Sequence, residues 1–528
     1  MNDEKINNYE LGITNDDWVE IELSEVCTYS KGKKPNLLES IISENVNVPY
    51  INIKAFEKGI FDNYTDGVKC NLCEDDDLLM VWDGARQGYT GKAKKGAVGS
   101  TLMKIEPVNG IEKNYLFYFL LSLYTKLNTN PRGVGIPHVE PRILWNSKFV
   151  ICNSSLQKAI VSKIESLFSD LDNGIANLKK AQEQLKIYRQ AVLKKAFEGE
   201  FTKEWREKQT NLPTAEELLK KIKEERENNY ELQITNWKKA VKEWEKKKSI
   251  TNGELRITNK KPTKPKAIKE LSPLTEDKLI ELPKLPDNWN YNYLAYAGEL
   301  ARGKSKHRPR NDKSLFGGDY PFFQTGDVKA QKIIKNYSQT YSEFGLKQSK
   351  LWKKGTLCIT IAANIAETGF LGIDACFPDS IVGYFSFEKI VDKVYIDYFF
   401  QSAKRKISAW APATAQKNIN LTILENLVIP FCSIKEQHQI VQEIETRLSV
   451  TDNLEFVIRN SLLKAEALRQ SILKKAFEGK LLSEEEIAAC KQEKDYEPAS
   501  VLLEKIKAEK LKKEQEAKKT KAKRKNGK

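Results

Sequence analysis

Histidine is nearly absent from this chain: His138, His307 and His438 are the only three in 528 residues, far apart from one another. A catalytic centre built on imidazole acid–base chemistry has little to draw on. No run of eighteen apolar residues occurs, so no segment reads as a membrane span, and the opening Met-Asn-Asp-Glu-Lys has no apolar signal region. The eight cysteines are scattered, mostly inside apolar runs, which suits reduced thiols in a cytoplasmic setting. Cys70-Asn71-Leu72-Cys73 has the spacing of half a zinc site, but no second pair follows at a usable distance, and no metal is expected. The Asn/Asp-Pro-Pro-aromatic run with which amino-methyltransferases hold a target base is missing too; Asn130-Pro131-Arg132 does not qualify.

Charge is what the chain has in quantity. Charged residues make up 30% of it, apolar residues 40%, and the net charge is +15, which favours a polyanionic partner. Much of that excess comes from the tail after Lys505, where it is equally well explained as solvation. The length allows three or four domains.

One phrase occurs twice. Residues 189–199 read RQAVLKKAFEG and residues 469–479 read RQSILKKAFEG, identical at nine of eleven positions and 280 residues apart (469 minus 189). Each copy has Lys in its last turn and a Gly, Gly199 or Gly479, where a helix would end in a left-handed cap. Upstream of the first, Ile164, Leu171, Leu178, Leu185 and Val192 recur every seven residues. Ile160, Leu167, Ala181 and Tyr188 fill the alternate seam, broken at Gly174. The second copy keeps the register more loosely with Ile444, Leu454, Ile458, Ala465, Leu468 and Ile472, and carries Arg447 and Thr451 at seam positions. Sustained heptads predict helices packed lengthwise, here two rods of roughly 65 Å. Two matched rods in one chain most simply form an antiparallel coiled coil. Phe197 and Phe477 then serve either as packing at the rod ends or as contacts to a partner.

Around the rods the chain is expected to divide into a first domain (1–150), a rod (155–200), a charged helical connector (201–285), a second domain (286–432), a second rod (434–480) and a charged helical tail (481–528). Residues 1–17 read as unstructured. Alternation at Val19, Ile21 and Leu23 and apolar runs at Val48–Ile53, Leu78–Trp82 and Phe149–Cys152 predict short strands, with a helix at Tyr115–Leu127. The second domain repeats the first in outline. Trp289–Leu294 matches Trp18–Leu23, Gly303-Lys304 matches Gly32-Lys33, Pro321-Phe322-Phe323 matches Pro49-Tyr50-Ile51, and Ile419–Asn426 matches Val139–Asn146. Pro213–Lys223 likewise resembles Pro498–Lys507. The fold class expected is therefore α+β: two mixed α/β domains separated by two long helices, with a pseudo-twofold duplication. A nonapeptide, NNYELGITN at 7–15, recurs at 228–236 and, worn, at 251–259; irregular spacing suits an insertion tolerated in exposed segments.

Gly298–Ser305 satisfies the pattern G-x-x-x-x-G-K-[ST] of a phosphate loop. The helix such a loop must open is missing, because Lys306-His307-Arg308-Pro309-Arg310 offers no apolar seat and a Pro opposes it. A basic loop touching phosphate is the simpler account. Candidate contacts to a polyanionic partner are the basic and polar turns outside the shared apolar frame: Lys31, Lys33, Lys34, Arg86, Gln87, Arg132 and His138 in the first domain, and Arg302, Lys304, Lys306, Arg308, Arg310, Asn364, Gln416 and Lys417 in the second. Taken singly, each is more simply a solvated loop charge; the two Gly-Lys turns carry more weight as groups.

Paired LKKAFEG phrases at Leu193–Gly199 and Leu473–Gly479, the Trp-x4-Leu domain openings and Glu436-Gln437 at the start of the second rod closely resemble the specificity subunit of type I restriction–modification systems, over nearly the whole chain. The first rod departs from that pattern with Leu156-Gln157. The resemblance implies two target-recognition domains, each reading half of a split, asymmetric site in double-stranded DNA. It implies a coiled coil that sets their spacing and docks two modification subunits, joined by restriction subunits. It further implies no catalysis and no cofactor in this chain, with S-adenosylmethionine, adenine-N6 methylation and ATP belonging to partners. Two competing readings remain: a stand-alone DNA-binding coiled-coil protein and a nucleotide hydrolase using Gly298–Ser305.

Overall fold

Each globular domain opens and closes on one short antiparallel ribbon. In the computed structural model, which describes residues 17–133, 135–250, 261–268, 270–409 and 419–525, Val19–Glu22 pairs with Lys148–Ile151 and Asn290–Tyr293 with Val428–Phe431. The opening strands stop earlier than their alternation suggests. Leu23 and Leu294 each begin a single helical turn that ends at Val26 and Ala297, and both leucines are fully buried. An antiparallel sheet follows in each domain, ordered Cys27–Lys31, Leu102–Pro107, Leu78–Val81, Thr90–Lys92 in the first. The second has the equivalent order Gly298–Arg302, Ile381–Ser386, Leu357–Thr360, Thr368–Leu371, extended by a parallel edge strand at Ile333–Ile334. The run at 48–53 is a strand only to Ile51, because Asn52 caps a helix over Ile53–Lys58. The helix expected at 115–127 is two, Lys113–Ser122 and Tyr124–Thr129. Residues 1–16 and the nonapeptide copies within 7–15 and 251–259 lie outside the described residues; the copy at 228–236 lies within the helix Ala215–Ile250.

Two units divide the chain, and one of them is discontinuous in sequence. One joins residues 1–180 to 458–528; the other is 181–457. The long helices Ser154–Phe197 and Ile434–Phe477, 44 residues each, contribute to both. In the first unit the core gathers Trp18, Leu23, Tyr115, Phe149, Ile160 and Ile164 around Ile472, Leu473 and Ala476, the end of the second helix. In the second unit Trp289, Leu294, Tyr395, Ile440 and Ile444 surround Val192, Leu193, Ala196 and Phe197, the end of the first. The helices after the rods follow the same exchange: Ile506 lies in the first core and Ile222 in the second.

Within the second unit Arg189 reaches Asp452 and Glu455, while just past the end of the first helix Phe201 lies under Arg447, so the two helices run antiparallel. The seam is a strict heptad, but its second line sits one residue later than the apolar pattern suggests. Phe168, Ile175, Gln182, Arg189 and Ala196 face inward with Ile164, Leu171, Leu178, Leu185 and Val192; Tyr188 is exposed and Ala181 half-buried. The second helix repeats this 280 residues on with Leu448, Glu455, Leu462, Arg469 and Ala476 beside Ile444, Thr451, Ile458, Ala465 and Ile472. Leu454 and Leu468, expected in the core, are therefore exposed at 47% and 50%. A polar residue wins the seam at Glu455 and Arg469 because each meets an opposite charge or a ring there: Glu455 bonds Arg189, and Arg469 bonds Asp172 and covers Phe168. Leu171, Leu178 and Leu185 are only half-buried.

One buried amide fastens each domain to its rod. Gln157 Nε2 donates to the carbonyls of Gly110 (3.0 Å) and Cys152 (2.8 Å), and its Oε1 accepts from Glu112 N (2.7 Å). Gln437 does the same with Ile390 (2.9 Å), Cys432 (2.9 Å) and Asp392 (2.9 Å). Every partner is offset by 280 residues, so the departure at the first rod is confined to Leu156 in place of Glu436. Among the described residues no helix is long and apolar enough to cross a membrane. Gln437→Ala leaves three backbone groups unpaired in the second unit and is expected to cost about 3 kcal/mol, read as a lowered midpoint in equilibrium denaturation; an unchanged midpoint would show that the anchor carries no stability.

Candidate nucleic-acid interface

The Gly-Lys turns exist because two strands pass too closely for a side chain. A Cβ on Gly32 would lie 2.1 Å from the carbonyl oxygen of Gly99, and one on Gly303 would lie 2.2 Å from that of Pro378. Gly32 N–H bonds Leu102 O, and Gly303 N–H bonds Ile381 O, at equivalent sheet positions. The glycines are thus explained by packing, and the lysines that follow, Lys33 and Lys304, are carried outward and exposed. Gly298–Arg302 is a sheet strand, and the next helical turn is the short 3-10 segment Lys313–Leu315, so the phosphate-loop geometry is absent.

Three elements of the first domain converge at Asp83. Lys31 Nζ lies 3.0 Å from one carboxylate oxygen and His138 Nδ1 2.6 Å from the other. Backbone pairing of His138 with Arg132 brings the Arg132 stretch to the same place. Lys34 stands exposed nearby in sequence. Arg86 bridges to Glu57 at 3.1 Å and lies 4.2 Å over the Tyr89 ring, leaving it half-exposed. Gln87 is different. It is 1% exposed and donates to Asn128 O at 3.1 Å, so its role is to hold two loops together, and it presents nothing to a duplex.

The second domain uses another arrangement on the same frame. Arg302 donates to the Asp379 carbonyl (2.9 Å from Nε), and Arg310 bonds the Asp379 carboxylate (2.9 Å). Lys306 is exposed, and Arg308 is turned back onto the carbonyls of Ser305 and His307, both at 2.7 Å. Asp312 braces this loop: the Ser314 backbone N–H and hydroxyl, then His307, stabilise its carboxylate and hold its pKa down to about 2. Asn364 is half-buried in a turn where Ala363 (φ 62°) and Ala366 (φ 58°) adopt left-handed backbone. Gln416 and Lys417 lie outside the described residues. The residues that sequence reasoning passed over are Gln324 and Gln339, which carry no charge and stand beside no Gly-Lys turn. Gln324 Nε2 donates to Gln339 Oε1 at 2.9 Å, with both residues exposed.

Among the described residues no cluster of His, Cys, Asp and Glu is arranged to hold a metal. The Cys73 thiol is buried, pushed up to about 11 by that burial and donating to the carbonyls of Lys94 and Gly96. Cationic turns backed by a rigid sheet suit contact with phosphate, and fixed polar side chains between them suit contact with base edges.

Comparison with known proteins points the same way. A family model for the type I restriction modification DNA specificity domain matches residues 15–185 and 286–463. The chain is 25% identical over 475 residues to the type I restriction enzyme MjaVIII specificity subunit of Methanocaldococcus jannaschii, covering 88% of this chain and 93% of that one. It is 24% identical over 504 residues to the EcoBI specificity subunit of Escherichia coli, covering 94% and 92%. A chain solved in work on complex assembly and conformational transition of the type I R-M system shares the fold, with TM-score 0.58, 15% identity and coverage of 88% and 98%.

The close approach at Gly303 makes a prediction that separates packing from phosphate chemistry. Gly303→Ala should lower Tm by several degrees, since backbone must move to admit the Cβ, while Lys304→Ala should leave Tm unchanged. An unaltered melting curve for Gly303→Ala would remove the packing explanation.

Proposed function

The chain belongs to the type I restriction–modification DNA specificity family, and on that premise we propose that it reads double-stranded DNA and performs no chemistry itself. Each domain engages one half of a split, asymmetric site. The long helices fix the spacing of the two halves and dock two modification subunits, which carry S-adenosylmethionine and methylate adenine at N6. Restriction subunits with an ATP-driven motor join that core, in the cytoplasm.

The observation that carries this reading is the contrast between frame and loops. The anchors Gln157 and Gln437 make the same hydrogen bonds to partners at one sequence offset, yet the equivalent turns converge on Asp83 in one domain and on Asp379 in the other. A shared scaffold with unlike polar surfaces is what two sensors for different sequences require. Non-specific affinity comes from Lys and Arg on phosphates and sequence from a few side chains at base edges. A stiff helical pair suits a spacer because major-groove sites on one face of DNA recur about every 34 Å.

Docking is supported by the second long helix. Val450, Leu454, Phe456 and Val457 are all exposed, between 47% and 58%. Val450, Leu454 and Val457 share one face at i, i+4 and i+7 spacing, and such an apolar stripe on a water-soluble surface marks a contact site.

Two outcomes test the reading. Exchanging residues 1–150 for another such domain should change one half of the methylated sequence and leave the other intact; a change in both halves would end independent readout. Replacing Val450, Leu454 and Val457 with Glu should abolish co-purification with the modification subunit and leave the melting curve of the isolated chain unaltered, because all three are exposed. Retained complex at wild-type yield would move the dock elsewhere.

A further inference from the structure

We infer that the groove bordered by Arg310, Lys313, Gln324 and Gln339 in the second domain reads a guanine of its half-site, an inference that rests on the DNA-recognition reading above. The groove encloses about 640 Å³. Its floor is rigid: Phe322 and Tyr341 stack with ring centres 4.1 Å apart and an interplanar angle of 18°, both buried, and Phe316 packs 5.4 Å from Tyr341. Its rim is polar and held in place. The Gln324–Gln339 amide bond joins the two sides, and Gln324 is fixed in turn where its backbone N–H donates to Asp327 Oδ2 at 2.7 Å. Arg310 is steadied by Asp379 at 2.9 Å.

Fixing exposed glutamines is not explained by stability. A hydrogen bond at the surface gains little over one to water, and ordering two long side chains costs conformational entropy. Pre-organised polar groups over a stiff floor are, however, what recognition needs, because the ordering cost is then not met during binding.

The balance of donors and acceptors identifies the target. Two glutamine amides hold four N–H groups and, at two lone pairs per oxygen, four acceptor sites; their mutual bond leaves three of each, so the excess of donors comes from the neighbouring cations. Arg310 adds the N–H groups its carboxylate partner leaves, and Lys313 adds an ammonium. Such a donor-rich rim complements an acceptor-rich edge. In the major groove that is guanine, with N7 and O6 side by side, which a guanidinium contacts with two bonds.

The test uses the full chain reconstituted with its modification subunit, with methylated positions mapped by sequencing, and the half read by the second domain assigned by exchanging residues 1–150. Arg310→Ala and Gln339→Ala are each expected to melt as the unaltered protein does. Each should relax one G·C pair in that half, lowering discrimination there by roughly 5- to 150-fold, and leave the other half unchanged. An unchanged motif in both variants overturns the inference. So does equal weakening at all sites, which marks a phosphate contact, and so does relaxation at an A·T pair. A wild-type complex that methylates no split motif overturns the proposed function itself, and the role of the groove with it.

Discussion

Phe477 meets Tyr115 and Phe119 at 5.1 and 5.2 Å, and Phe197 meets Tyr395 and Phe399 at 5.0 and 5.3 Å. These tilted and edge-on contacts fasten the end of each long helix into a domain core. Burying the Phe197 ring stabilises by about 1.5–3 kcal/mol, with roughly 0.5–1.5 kcal/mol more from the aromatic pairing; Phe477 is partly buried and gains less. The rest of the architecture depends on them. Because the helix ending at Phe477 closes the core that contains Trp18, residues from both halves of the sequence must come together before that core is complete. The glycine after each phrase finishes the arrangement: Gly199 (φ 75°) and Gly479 (φ 69°) turn the chain beside Trp289 and Trp18.

Charge pairs contribute to the register along the helices. Arg189 pairs with Asp452, and Arg469 with Asp172, the same interaction repeated at an offset of 280 residues. Both aspartates are largely exposed, so each pair contributes at most about 1 kcal/mol. What the pairs do is discriminate. A slip of one heptad in one direction would set Arg189 against Arg459 and Arg469 against Lys179, like charges that oppose it, whereas leucine would tolerate the slip.

The two joints are nevertheless not interchangeable. In the second unit the fully buried Glu436 accepts from Thr202 (2.9 Å) and Asn288 (3.3 Å) and pairs with Arg206, and the guanidinium of Arg206 also reaches Gly199 O. In the first unit the equivalent position is Leu156, packed in a core flanked by Leu482, the counterpart of Thr202. A buried carboxylate facing leucine would lack its partners and cost several kcal/mol, so each helix end is matched chemically to one helix start.

The duplication, the two rods, their heptad period and the repetition of one mixed α/β domain on a second were all legible in the sequence, because they rest on local periodicity and on residues that recur at one offset. The Gly-Lys turns were legible as positions, though not as packing requirements. Tertiary structure alone decided which residues occupy the second line of the seam. Leu454 and Glu455 compete for it within one turn, and the choice fell to Glu455 because Arg189, 266 residues away, supplies its charge partner. Gln87 looked like a surface reader and is buried; Gln324 and Gln339 looked like nothing and share a groove. A side chain's exposure depends on what distant strands place over it, and that information is not carried by its neighbours in the chain.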